Sequence, residues 1–181
     1  MKIRPSLALF ATLLLVVSGI TLAYAQKASD APAGKETVLK AADISSKLFP
    51  DRVFFRGQTA SVQMRNTGGV RYADDFLVLA GLVDNSGYST GIREKYQGYL
   101  ITEVPLEIGG QALKPGAYGF GFLESSKFVV LDLGSNDLFQ TASTKDEALK
   151  RAVPLQVTAA SDAGKYRLYK GKEYVEFHRV K

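Results

Sequence analysis

The chain has 181 residues, a formal net charge of +5, one histidine, and neither cysteine nor tryptophan. With no thiol and a single imidazole, zinc, copper and haem sites lack their usual ligands, and no disulfide can stand in for a buried core. The charge excess is too small to argue for nucleic acid as a partner.

Lys2 and Arg4 form a positive head, Leu7–Val17 is a nearly unbroken apolar stretch, and Ala23-Tyr24-Ala25 offers small residues where signal peptidase reads them. Residues 1–25 therefore read as a bacterial-type signal peptide, giving a secreted or periplasmic chain that starts at Gln26. No cysteine follows, which excludes a lipoprotein anchor. The rival reading is an uncleaved anchor, since Ser6–Ala25 is uncharged and about 20 apolar residues span a bilayer. The Ser18-Gly19-Ile20-Thr21 interruption and the small-residue site favour cleavage, leaving no membrane span. Losing Lys2, Arg4 and no acid lowers the charge from +5 to +3.

Residues 26–36 are Ala, Ser, Lys, Gly and Pro with little to bury, a flexible lead-in. Thr37–Phe49 is expected as a short, weakly periodic helix ended by Pro50. Ala60, Val62 and Met64 then alternate with polar residues as in a half-buried strand, with Asn66-Thr67-Gly68-Gly69 as its turn and Val70–Tyr72 beginning the return. Phe76–Val83 is apolar on both parities, a central strand covered on both faces. Tyr96–Ile101 is another strand, and Val104, Leu106 and Ile108 alternate cleanly. Gly109-Gly110 reads as a tight turn, and Lys114-Pro115-Gly116-Ala117 as a type II turn. Ala117–Leu123 and Phe128–Leu133 form a hairpin across Glu124–Lys127. Thr144-Lys145-Asp146-Glu147 has the pattern of a capping box opening a helix to Ala152. Val153, Leu155 and Val157 mark a strand that Pro154 places at a start or an edge. Lys165–Tyr169 and Tyr174–Val180 close as a hairpin over Lys170-Gly171-Lys172. Residues 37–181 thus form one domain, an antiparallel β-sandwich or open barrel of seven to nine strands with one or two short helices.

The stretch from Val104 to Phe120 resembles the Leu-x-Pro-Gly-x-Tyr device of carboxypeptidase-regulatory-like and collagen-adhesin B-type repeats. It is also similar to exported bacterial β-sandwich domains of unknown function that place Leu-x-x-Gly-x-Tyr before a core strand. The resemblance implies a sandwich in which Leu113 anchors the core, Pro115-Gly116 reverses the chain and Tyr118 re-enters the interior; it implies no site residue.

Gly87-Tyr88-Ser89-Thr90-Gly91 matches the nucleophile elbow, and His178 follows in the chain order of that hydrolase class. The elbow needs an α/β sheet that this pattern lacks, and Asp84–Gly87 reads as a turn, so a Gly/Ser loop is favoured over a Ser89 esterase. His178 reads as a half-exposed strand residue beside a carboxylate. Asp132, Asn136 and Asp137 surround a Gly turn as calcium ligands do, but also as ordinary turn makers do. Tyr118, Phe120 and Phe122 share one parity opposite Gly119 and Gly121, which reads as core with a close neighbour across the glycines. Arg52 and Arg56, four apart on an expected strand, could grip an anion together with Arg65 and Arg71, although Asp74 and Asp75 are near enough to neutralise them. Tyr88, Tyr96 and Tyr99 are the remaining ligand-binding candidates. The expectation is a secreted non-catalytic binding or structural domain without cofactor, its partner an envelope or extracellular ligand or protein. A Ser89-dependent hydrolase, or a surface or filament subunit assembling by strand addition, are the alternatives.

Overall fold

The computed structural model describes residues 34–180; the expected signal peptide and most of the lead-in lie outside the described residues. The strands in chain order are β1 (Thr37–Lys40), β2 (Arg52–Phe55), β3 (Gln58–Arg71), β4 (Leu77–Val83) and β5 (Gly98–Thr102). They continue with β6 (Leu106–Ile108), β7 (Gln111–Leu113), β8 (Gly116–Leu123), β9 (Lys127–Leu131) and β10 (Asp137–Ala142). β11 (Thr144–Lys145), β12 (Val153–Ala159), β13 (Lys165–Gly171) and β14 (Glu173–Arg179) complete the set, and a helix α1 (Thr90–Lys95) precedes β5. Two antiparallel sheets result. Sheet one runs β1-β3-β4-β5-β8-β9-β10 with β2 beside β3, and sheet two runs β12-β13-β14-β6-β7 with β11 beside β14.

The expected sandwich forms, with more and shorter strands than the alternation suggests. Its inner core joins Val78, Ala80, Leu100, Phe120 and Phe128 of sheet one to Leu106, Ile108, Leu168, Val175 and Phe177 of sheet two. A second core lies on the opposite face of sheet one, where Leu79, Val83, Tyr99, Val129 and Leu131 meet Phe49, Val53, Phe55, Tyr88 and Tyr96. Successive residues of a strand point to opposite faces, so β4 and β9 must be apolar on both parities to serve both cores. Phe49, Phe55 and Tyr96 are wholly buried there, and burying each of the two phenylalanines contributes about 1.5–3 kcal/mol.

β3 serves both cores through a slip in register. Val62 pairs with Val83, but the next partners are Thr67 and Gly81. The extra residues turn the strand over, so Ala60 and Val62 enter the outer core while Val70 enters the inner one. Thr67 Oγ1 donates to the Met64 carbonyl at 2.9 Å inside this bulge.

Several local expectations are corrected. Asn66–Gly69 is not a turn, because Gly68 and Gly69 serve close approach rather than positive φ. A Cβ on Gly68 would lie 2.9 Å from the Val157 nitrogen of sheet two, and one on Gly69 would meet the Val78 carbonyl. Thr37–Phe49 is a strand, a single 3-10 turn (Ala41–Asp43) and a bend rather than a helix. Leu39 and Ile44, buried in the outer core, hold it there. Thr144–Glu147 opens no helix; Thr144 and Lys145 pair with Tyr174 and Glu173, and the Asp146 carboxylate accepts from Tyr169 Oη at 2.8 Å. Lys114–Ala117 is not a type II turn, because Gly116 is extended, with φ 159°. β7 belongs to sheet two and β8 to sheet one, so Lys114-Pro115 carries the chain between sheets, and Gly116 already pairs with Thr102. Leu113 is nonetheless buried in the inner core.

The other turns follow their residues. Gly109 and Gly110 take φ of 53° and 83° in the β6–β7 hairpin. Pro154 lies on β12, an edge of sheet two. The β13–β14 hairpin turns at Gly171, φ 67°.

Candidate functional site

Ser89 occupies the N-cap position of α1 with φ −62° and ψ 156°, relaxed extended values. A nucleophile elbow instead strains its serine in a sharp strand-to-helix turn. Neither flanking glycine is sterically required: a Cβ on Gly91 meets nothing within 4 Å, and one on Gly87 meets only Gln58 Oε1 at 3.7 Å. α1 packs on β8 of sheet one, whereas His178 sits on β14 of sheet two. No hydrogen bond among the described residues joins Ser89 and His178. His178 faces outward beside its register partners Lys165 and Glu107, with Glu176 next along the strand, in a shallow depression of about 130 Å³.

The three tyrosines are interior packing, which corrects their reading as ligand contacts. Tyr96 stacks on Phe55 with centroids 3.7 Å apart and planes 9° apart, and Tyr88 meets both rings edge-on. Tyr88 Oη donates to the Phe55 carbonyl at 2.9 Å, pinning the β2–β3 turn onto the outer core. Burial pushes the Tyr88, Tyr96 and Tyr99 hydroxyls upward in pKa. The Tyr96 and Tyr72 hydroxyls are buried and find no hydrogen-bond partner among the described residues. These rings lie near turn residues in sequence, and only the outer core of sheet one reveals them as packing.

Arg52 and Arg56 do not share a strand face. Arg52 is on β2, with its guanidinium donating to Thr59 Oγ1 at 3.3 Å, whereas Arg56 forms the two-residue β2–β3 turn with Gly57. Both turn residues have positive φ, 47° and 77°, the signature of a type I′ hairpin. The Arg56 N–H donates to the Leu133 carbonyl at 2.8 Å. Arg71 approaches Asp75 at 3.5 Å, on the exposed surface.

Asp132 and Asn136 close on each other: the Asn136 backbone N–H and amide donate to the Asp132 carboxylate at 2.8 and 2.9 Å. Those bonds hold the Asp132 carboxyl below its usual pKa. Asp137 turns away to Lys95, with both carboxylate oxygens 2.9 Å from Nζ. The loop therefore splits the three oxygen donors, and among the described residues no group of three or more His, Cys, Asp or Glu is placed to share an ion.

A wider opening among the described residues lies elsewhere. A groove of about 540 Å³ is bounded by Lys95 and Gln97 at the end of α1, by Leu123, Glu124 and Lys127 of the β8–β9 hairpin, and by Gln140 of β10. Gly121 makes it possible, because any Cβ there would collide with the Lys95 carbonyl. This is the close approach across Gly119 and Gly121 that the aromatic stripe implied. Gln97 fixes the helix end to β8, its amide donating to the Phe122 carbonyl at 2.9 Å while its oxygen accepts the Phe122 N–H at 3.0 Å. The Lys95–Asp137 ion pair ties that end to β10. A second depression of about 360 Å³ lies beyond Phe122–Glu124, where Lys145, Lys170 and Lys172 meet Glu173. Ser143 joins the two regions: its N–H donates to the Ser126 carbonyl and its hydroxyl to Glu173, at 2.8 and 2.7 Å. The hairpin turn was legible, but the groove draws on three distant segments, and no spacing rule unites them.

No family model, no curated protein and no solved structure matches the chain.

Proposed function

We propose that the chain is a secreted or periplasmic, non-catalytic domain that works by binding, with the groove beside β10 as its ligand-facing feature. The observation that carries this reading is the clustering of both large openings around the β8–β9 hairpin end and β10. Their rims mix Lys and Glu around Leu123, a surface suited to holding a partner by polar contacts and one apolar anchor. Ser89, at the N-cap of α1 against sheet one, and His178, on β14 of sheet two, lie apart without the base–nucleophile contact that acyl transfer requires. The address rests on the charged head, apolar stretch and Ala23-Tyr24-Ala25 site.

The test is to express the full chain, collect the exported protein, measure its intact mass and expose it to a serine-directed fluorophosphonate. The expected result is a chain starting at Gln26 that takes up no label. Labelling at Ser89 would replace this reading with the esterase, and a mass retaining residues 1–25 would replace export with a membrane anchor.

A second reading is favoured by one feature. β10 is an exposed sheet edge, which suits a structural subunit that assembles by strand addition.

A further inference from the structure

Every sheet edge leaves a row of backbone groups without strand partners, and proteins block such edges with Pro, charge or short length. β12 carries Pro154, β7 has three residues and runs into Lys114-Pro115, and β1 has four residues ending at Lys40. β10 differs. From Leu138 to Ser143 it has no charged residue and no proline, and Leu138 is 46% exposed.

Its free groups can be assigned. Ser143 donates inward to Ser126, and in an antiparallel ladder alternate residues bond the same neighbour. Thr141 and Phe139, paired with Phe128 and Val130, therefore also bond toward β9. Gln140 and Ala142 point their N–H and C=O outward. The register slip at Asp137/Phe139 leaves this stretch regular.

We infer that β10 pairs antiparallel with β10 of a second copy about a two-fold axis at Thr141, so that Gln140 of each chain faces Ala142 of the other. This rests on the strand-addition reading. A second copy fits because the strand is self-complementary: both outward residues find outward partners in this one register, each pair exchanging two N–H···O bonds. Charge agrees. Residues 138–143 carry no charge, so the two-fold sets no like charges opposite one another along the paired stretch, and Asp137 beyond it is already neutralised by Lys95. The paired edge also extends the groove floor, since Gln140 and Lys127 both line it.

The experiment exploits the absence of cysteine. Exported chains carrying Gln140→Cys or Ala142→Cys are mixed and oxidised, with Ser86→Cys as a control in an exposed loop. Wild type, Gln140→Pro and Gln140→Lys are compared by sedimentation velocity across concentration. Proline removes only an outward N–H, and lysine keeps the backbone intact if proline disturbs folding. The expected result is a concentration-dependent dimer, lost in both Gln140 variants at unchanged circular dichroism, with the mixed cysteine sample cross-linking at least tenfold faster than either variant or the control alone. Assemblies larger than a dimer that vanish in Gln140→Lys would overturn the closed two-fold and leave strand addition standing. A monomer at every concentration, or a dimer untouched by the Gln140 variants, would overturn both.

Discussion

Replacing Gly121 by alanine tests whether α1 is seated on β8 as described. The added Cβ would lie 2.9 Å from the Lys95 carbonyl carbon and closer still to its oxygen, whereas ordinary contact begins near 3.4 Å. Both partners are backbone, so no rotamer change relieves the overlap; the helix end must lift, straining the Gln97–Phe122 bonds and the Lys95–Asp137 pair. Overpacking of this kind costs about 1–3 kcal/mol, occasionally more. Restricting the unfolded chain returns about 0.4–1 kcal/mol. The net expectation, about 2 less about 0.7 kcal/mol at mid-range, is a loss of roughly 1.3 kcal/mol, or a midpoint lower by roughly 2–4 °C per kcal/mol for a domain of this size. With no tryptophan, urea titration followed by far-UV circular dichroism is the assay, and the slope should not change. Gly121→Ala with wild-type stability would show that the helix end does not rest on β8, and the groove would lose its wall.

Gly91→Ala should have the opposite sign, stabilising by about 0.5–1 kcal/mol, since the site is helical and open; a destabilised variant in the same titration would reopen the elbow. Arg56→Asn places the preferred residue of a type I′ turn at φ 47° and should raise stability by about 0.5–1 kcal/mol; a drop would mean that the Arg56 side chain holds a contact the fold needs. Burial, reinforced by Glu36, pushes Tyr72 up to about 12. Its native pKa exceeds the unfolded value near 10, so its contribution is complete below pH 10 and is lost progressively as pH rises toward 12. Absorbance at 295 nm with parallel circular dichroism should show late-titrating tyrosines that ionise with unfolding; one wave near pH 10 with the fold intact would refute their burial.

The half-buried strands were legible because one periodicity decides them: Ala60-Val62, Val104-Leu106-Ile108 and Leu155-Val157 are all buried. So were the turns at Gly109-Gly110 and Gly171, where positive φ dictates the residue. Glycine misled where it serves proximity, since Gly68-Gly69 looks the same in sequence whether it bends a chain or admits Val157 and Val78. α1 escaped notice because its six residues contain one apolar side chain, Ile92, and a glycine. The capping-box pattern at Thr144 failed for want of an apolar stripe behind it. The candidate residues fared worst. Tyr88, Tyr96 and Tyr99 read as ligand contacts in the sequence because nothing local says that Phe49, Val53 and Phe55 fold back over sheet one.

Among the described residues, the strand latest in chain order lies in the middle of sheet two. β14 bonds β13, β6 and β11, yet β6 precedes it by a large part of the chain, with Leu106 paired to Arg179. Until Tyr174–Arg179 is available, the β6–β7 hairpin lacks the neighbour that joins it to β12 and β13 in sheet two. Such distant pairing makes folding slow and leaves the apolar face of sheet one open meanwhile. A chain cut before Tyr174 would lose not a frayed edge but the strand on which β6, β11 and β13 assemble.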